Sequence, residues 1–531
     1  MNIRQIGLIA FKQFENLGMG YLASVLSKEG YETHIIDPRE GKEEIFKKIK
    51  IHNPLVVGFS VIFLYHIIEF KELIEYLRSM GIKCHFTAGG HYASLRYEEL
   101  FKQIPSLDSV VRFEGEYTFL DLIRCIDSGK DWRNIKSIAF RQDGKTFVNS
   151  LRPLEKNLDN FPIPVRDPVK DYLFRKKFTT LLAGRGCVHD CIYCDIRGFY
   201  KTPGGPVKRL RKPESVVMEM ELLQFEQNCS VFFFQDDDFP VRTKKGSEWI
   251  ERFCNELMRK NFHDKIIWKI NCRPDEIDMK SFRMMKNQGL FLVFLGIEDG
   301  TDKGLSRMNK NMTVAKSLAG INILKKLNIG FDYGFMLFQP WSTFVTVKEN
   351  LDFLRKICKD GFTPVTYLKM LPFFGTRIER ELKDTGRIKG EPGFLDYDFL
   401  DNSLNHYYEF TTGCFMEWLK DPNGLLDMIK WARNYLAVFS RYYQITPEVI
   451  SVSENVTRVT SESNLFFLDT MNDLALIFRE RKNNRENYRN LGSYKSNIKA
   501  RHDYFNEQIK NCISRLVNIA AVQELERMIS N

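Results

Sequence analysis

Short apolar runs alternate with helical periods along most of this chain, and that alternation restricts it to folds built on parallel sheets. In the first 150 residues IRQIGLIAF, YETHIID, PLVVGFSV and KCHFTAGG read as strands, with MGYLASVLSKEG, EEIFKKIKIH and IIEFKELIEYLRSMG as helices between them. Residues 1–150 are therefore expected to form βαβ units in a doubly wound, Rossmann-like parallel sheet, which binds ligands at the carboxyl ends of its strands. Pro153, Pro162, Pro164 and Pro168 mark 151–174 as a linker. From 175 to 390 the alternation resumes. FTTLLAG, SVFFFQDDD, IIWKINCR, LFLVFLGIEDG, GFDYGFML and PVTYLKML are six strand-like segments. Between the first two, Val216, Met220 and Leu223 recur at helical spacing after Pro213. The pattern predicts a partial (β/α)6 barrel whose strand ends face one active site. Residues 391–531 change character to long helical runs, a helical C-terminal domain suited to packing and, in part, to shaping a substrate site.

The bulk numbers exclude several classes. Hydrophobic residues make up 44% of the 531, enough for large cores. The net charge of +10 is mild for this length, and no Lys/Arg run dominates, which argues against nucleic acid as a partner. MNIRQIGLIAFKQFEN lacks the features of a signal peptide. The longest apolar run, Leu55–Tyr65, is too short to span a bilayer and contains Gly58 and Ser60. A cytoplasmic protein without a membrane span is expected. Eleven cysteines, an odd number, argue against a disulfide framework.

Three of those cysteines cluster. GRGCVHDCIYCDI, residues 184–196, holds Cys187, Cys191 and Cys194 in C-x-x-x-C-x-x-C spacing after a strand. Structural zinc takes four closed ligands. His189 could supply the fourth, but no second pair of cysteines follows. An iron–sulfur cluster fits the count better, because three thiolates can hold three irons of a cubane and leave the fourth open to a ligand.

This spacing, with Tyr193 just before the last cysteine, resembles the radical SAM superfamily. The resemblance implies a [4Fe–4S] cluster on Cys187, Cys191 and Cys194, whose open iron chelates S-adenosylmethionine (SAM). Reductive cleavage then yields a 5′-deoxyadenosyl radical. Further segments carry the likeness over about 200 residues. FFFQDDDF places Asp236, Asp237 and Asp238 at a strand end, where the bland alternative is a solvated acidic turn. GIEDG holds Glu298, and NCRPDEID holds Arg273. RMNK (Arg307–Lys310) and LPFFGT (Leu371–Thr376) resemble recurrent segments as well. By this resemblance Tyr193, Arg273, Glu298 and Asp236–Asp238 contact SAM.

The first 150 residues resemble the cobalamin-binding domain of B12-dependent radical SAM enzymes, whose signature is D-x-H-x-x-G, then S-x-L, then G-G. Ser60-Val61-Ile62 matches the second element and Gly89-Gly90 the third, while RFEGEYTFLDLI places Gly115 and Glu116 in a recurrent closing segment. The resemblance makes Ser60, Gly89, Gly90, Gly115 and Glu116 cobalamin contacts. The first element departs: with Gly18 in register, Gln13 and Glu15 stand where Asp and His would be. Cobalamin would then lack a histidine lower ligand.

The function so implied is a cobalamin-dependent radical SAM methyltransferase acting on an unactivated carbon through a 5′-deoxyadenosyl radical and methylcobalamin. It needs an external electron donor of flavodoxin or ferredoxin type and takes a small-molecule or peptide substrate. The alternatives are ring contraction, cyclisation or another radical rearrangement, and a non-catalytic cobalamin- or zinc-binding module.

Overall fold

The computed structural model describes residues 4–12, 15–240, 244–262, 264–391, 393–480 and 491–530. They form two compact units whose borders do not follow chain order. The first comprises Met1–Val169, Thr179–Glu219 and Leu371–Tyr397, the second Lys170–Phe178, Met220–Met370 and Asp398–Asn531.

In the first unit β1 (Gln5–Ile9), β2 (Glu32–Ile36), β3 (Val56–Ser60), β4 (His85–Gly89), β5 (Ser109–Val111), β6 (Ile138–Gln142) and β7 (Lys145–Val148) make one sheet in the order β2-β1-β3-β4-β5-β6-β7. The pairings from β2 to β5 are parallel. Helices cover both faces, so β3 is buried along its whole length. Val57 and Phe59 pack with Phe86 and Ile74 in one core, and Val56 packs with Ile6, Leu8 and Leu122 in the other. The period of two along a strand divides its side chains between the cores. The antiparallel pair β6–β7 is additional to the strands read from the sequence. Its two-residue turn, Asp143–Gly144, has φ of 49° and 75°, the backbone that Asp-Gly favours in a tight hairpin.

The chain continues through β8 (Lys170–Asp171) and β9 (Lys177–Leu181), then returns to the first unit with the antiparallel pair β10 (Gly184–Arg185) and β11 (Arg209–Leu210). The second unit follows with β12 (Cys229–Phe234), β13 (Ile267–Cys272), β14 (Leu290–Glu298), β15 (Gly330–Phe338) and β16 (Leu368–Lys369). Its sheet runs β16-β15-β14-β13-β12-β9-β8, parallel from β12 to β16, and curls into a half-barrel. Alternation again sets the faces. On β15 the outward Phe331, Tyr333, Phe335 and Leu337 are buried, while Asp332, Gly334 and Met336 are only partly covered. Trp268 on the outer face of β13 is fully buried against Phe234 and Phe253.

The six expected strand segments of this region are present, but PVTYLKML pairs only at Leu368–Lys369. Side chains take its backbone N–H groups instead. Val365 donates to Asn464 Oδ1 at 2.8 Å and Thr366 to the Tyr333 hydroxyl at 3.3 Å. Asn464 lies on the 34-residue helix Pro447–Glu480, and its amide also donates to the Cys358 and Thr363 carbonyls. The region from residue 391 opens with a short strand rather than a helix: Asp396–Tyr397 pairs with Ile388–Lys389. Helix begins at Asn402, capped by the Asp401 carboxylate. Residues 481–490 of the expected helical run lie outside the described residues. Among the described residues no helix is long and apolar enough to cross a membrane.

Asn464 satisfies two buried carbonyls and one buried N–H. Asn464→Ala should lower stability by about 3 kcal/mol, read as an earlier denaturant midpoint by far-ultraviolet circular dichroism.

Candidate functional site

The expected site residues fall into two groups, one in each unit. In the first unit the cysteine loop follows Gly184-Arg185-Gly186, and each glycine is required. A Cβ on Gly184 would lie 2.5 Å from the Arg209 carbonyl oxygen, and one on Gly186, at φ 85°, 1.9 Å from that of Val207. Between them Arg185 reaches Glu114 at 3.1 Å and Glu116 at 2.7 Å, and its guanidinium lies over the rings of Tyr21 and Phe161. Arg209 adds a second guanidinium 2.8 Å from Glu114. Burial works to raise Glu114, but Arg209 and Arg185 prevail and hold its carboxyl below the ordinary range. Glu116 is thus committed to Arg185, two residues before Cys187, and Gly115 starts the helix Glu116–Asp127.

None of the eleven cysteines forms a disulfide. Cys187 and Cys191 are partly exposed, as is Tyr193. Cys194 keeps an exposed surface, yet protein crowds its sulfur. Desolvation is the largest cause that pushes this thiol up to about 12, and the neighbouring Cys191 and Cys187 sulfurs add to it. Three neighbouring cysteine sulfurs are the donor set that an iron–sulfur cluster takes. The LPFFGT segment is what holds the loop. Phe374 packs edge-on to Tyr92 in the sheet's core, Thr376 caps the helix Arg377–Asp384, and Ile378 N–H donates to the Ile192 carbonyl at 3.2 Å.

Ser60 and Gly89 end adjacent strands and pair with each other. Gly90, at φ 103°, brings its backbone against the next loop, so that a Cβ would meet the Val61 carbonyl oxygen at 2.8 Å. After it His91 stacks on Phe199 with ring centres 3.9 Å apart and lies 3.6 Å from Asp195, the residue following Cys194. Beside this turn Phe63 and Tyr65 stack and stay 43% and 39% exposed, while Phe11 stacks on His66. A glycine crest next to an uncovered aromatic shelf fits the broad apolar face of a corrin. Glu15 does other work. Its carboxylate accepts from Thr179 Oγ1, Thr180 N and Thr180 Oγ1 at 2.6–3.0 Å. Gln13 lies outside the described residues.

In the second unit Asp236 and Asp238 are buried and Asp237 is exposed, so the acidic run is not a solvated turn. The Asp236 carbonyl accepts from Asn271 Nδ2. Glu298 ends β14 at φ 71°, a strained backbone for a glutamate, after a register shift between Gly296 and Glu298. Its Oε1 lies 3.1 Å from Lys310 Nζ. Gly296 and Gly334 make room for its carboxylate: a Cβ on the first would meet Glu298 Oε1 and Lys310 Nζ at 2.9 Å, and one on the second Glu298 Oε2 at 3.3 Å. This is a cradle suited to a polar ligand such as SAM. Arg273 is buried, with Nε 2.8 Å from Asp275 and NH2 2.6 Å from the Lys310 carbonyl, so it holds the backbone of the lysine that meets Glu298. Lys310 had its signal in RMNK. Arg185 and His91 lacked one, because neither has a partner nearby in sequence.

The comparisons with known proteins agree with this geometry. A B12 binding domain model matches residues 9–123, and a radical SAM superfamily model matches 181–354. An uncharacterized methyltransferase of Pyrococcus horikoshii is 26% identical over 370 residues, covering 68% of this chain and 77% of that protein. An anaerobic magnesium-protoporphyrin IX monomethyl ester cyclase of Rubrivivax gelatinosus is 25% identical over 68% of this chain and 66% of its own length. The cobalamin-dependent SAM radical enzyme OxsB with aqua-cobalamin shares the fold at TM-score 0.70 and 16% identity, over 97% of this chain and 85% of that one. The radical SAM methyltransferase TsrM of Kitasatospora setae, solved with cobalamin and a [4Fe–4S] cluster, gives 0.59 and 16%, over 72% and 75%.

Arg185→Met would take the Arg185 partner from buried Glu116 and leave Glu114 to Arg209. Breaking such a network should cost about 3–5 kcal/mol, measurable as a lower unfolding midpoint than that of Arg124→Met, which alters an exposed pair. With both domains present in one chain, this protein belongs to the cobalamin-binding-domain radical SAM family, with a [4Fe–4S] cluster, SAM and cobalamin as its cofactors.

Proposed function

We propose that this chain is a cobalamin-dependent methyltransferase that acts on an unactivated carbon of a small-molecule or peptide substrate, with an external electron donor of flavodoxin or ferredoxin type. The carrying observation is the contact of His91 with Phe199 and Asp195, which joins the Gly89–Gly90 turn to the segment just after Cys194 within one unit. When bound, the cluster and SAM supply a hydrogen-abstracting radical, and cobalamin supplies a methyl group.

The residue roles follow the chemistry of each group. Cys187, Cys191 and Cys194 hold the cluster. Glu298, with both carboxylate oxygens turned to the open cradle, accepts hydrogen bonds from SAM hydroxyl or amino groups. Lys310 pairs with that carboxylate at 3.1 Å, and Arg273 positions Lys310. Tyr193 in the first unit and Asp236–Asp238 in the second are further SAM contacts in this reading. Ser60, Gly89 and Gly90 let cobalamin approach the sheet edge closely. Gly115 and Glu116 act on the cluster side, through Arg185.

A second reading, cyclisation or another radical rearrangement, is favoured by the likeness to the Rubrivivax cyclase. Coproducts separate the two. Methylation should yield S-adenosylhomocysteine and 5′-deoxyadenosine in equal amounts, whereas rearrangement gives 5′-deoxyadenosine with little S-adenosylhomocysteine. Cys187→Ala, Cys191→Ala and Cys194→Ala should each lose iron and acid-labile sulfide after anaerobic reconstitution, while Cys254→Ala keeps both. Zinc without sulfide in the wild-type protein would overturn the enzymatic reading.

A further inference from the structure

Lys269 places an ammonium on the concave face of the half-barrel. Along β13 the flanking Trp268 and Ile270 are fully buried on the outer side, which turns Lys269 inward. Its Nζ stands 5.8 Å from the ring centres of both Phe233 on β12 and Phe294 on β14. Among the described residues the Lys269 ammonium makes no hydrogen bond and no close ion pair. Asp332 on β15 is the acid that acts on it from a distance, and Lys430 opposes it as a like charge. Asp332 is itself shared with Arg433, whose NH1 is 3.9 Å away. Burial, the largest cause, holds the Lys269 ammonium below its usual range. Two rings at the outer limit of cation–π distance offset only part of what desolvating an ammonium costs.

The same face has apolar surface left uncovered. Phe294 is 39% and Leu368 57% exposed. Phe294 and Glu298 both lie on β14, four residues apart, a span of about 13 Å. A molecule reacting near Glu298 and lying along Phe294 thus extends towards Lys269.

We infer that Lys269 receives the anionic group, a carboxylate or a phosphate, of an elongated substrate whose apolar body lies along Phe294 and Leu368. A charge-assisted hydrogen bond from such a group supplies what the site lacks. The inference rests on the radical-enzyme reading of this face and adds the substrate class to it.

The test is competitive acetylation of the full-length, anaerobically reconstituted protein with methyl acetyl phosphate, an anionic reagent, with each lysine mapped by peptide mass spectrometry. Benzoate, phenyl phosphate and neutral benzamide are the competitors. Acetylation of Lys269 should slow about ten-fold at about ten times the Kd of an acid that occupies the site, and benzamide should leave it unchanged. Protection by benzoate alone assigns a carboxylate, and by phenyl phosphate alone a phosphate; protection by both supports a general anion site. No acetylation of Lys269, no protection by either acid, or equal protection by benzamide overturns the inference. SAM cleavage is assayed on the same preparation. Its absence overturns the radical reading, while the protection pattern still decides the role of Lys269.

Discussion

The ion network of Arg185, Glu114, Glu116 and Arg209 is the constraint around which the first unit is organised. Four charged side chains lie largely out of water, an arrangement that is stable only when every charge has a partner at close range. It fixes Arg185, and with it the two glycines whose backbones pack against Val207 and Arg209. The cysteine loop therefore leaves a rigid base. Such a base suits a cluster ligand set, because thiolates presented from a mobile loop would reorganise whenever the cluster changes charge.

A comparable economy operates around Glu298. A glutamate in left-handed backbone carries strain, and the surroundings over-determine it through the β14 register shift, the Lys310 pair and two facing glycines. Arg273 holds Lys310 from the other side, through its backbone carbonyl. One carboxylate is thus aimed by two basic residues acting in series.

The fold was legible because periodicity reports burial directly. Helices of period 3.6 and the alternating strand β15 show one covered face in the sequence, and strands covered on both faces, such as β3, show as short continuous apolar runs. What was missed was set by partners distant in sequence. The segment at Val365 loses its ladder to Asn464 and Tyr333, which no local pattern records. The β6–β7 hairpin did carry its Asp-Gly signal, in a stretch with little apolar alternation to draw attention to it. For the site, residue types and spacing singled out the cysteines, Gly90, Glu116 and Glu298 as candidates. They gave no sign that the Glu116 carboxylate pairs with Arg185. A motif preserves identity at a position but not the direction in which a side chain points.

The first unit is discontinuous, and this has a consequence for how the protein is made. Its last piece, Leu371–Tyr397, inserts Phe374 into the core beside Tyr92 and closes on the cysteine loop through Ile378. On a ribosome that piece is synthesised roughly 10–45 s after residue 169, at about 5–20 residues per second. For that interval the nascent first unit has its sheet but lacks the clasp on its cysteines. Closure on the cysteine loop by Ile378 therefore waits for the last-made piece of the first unit.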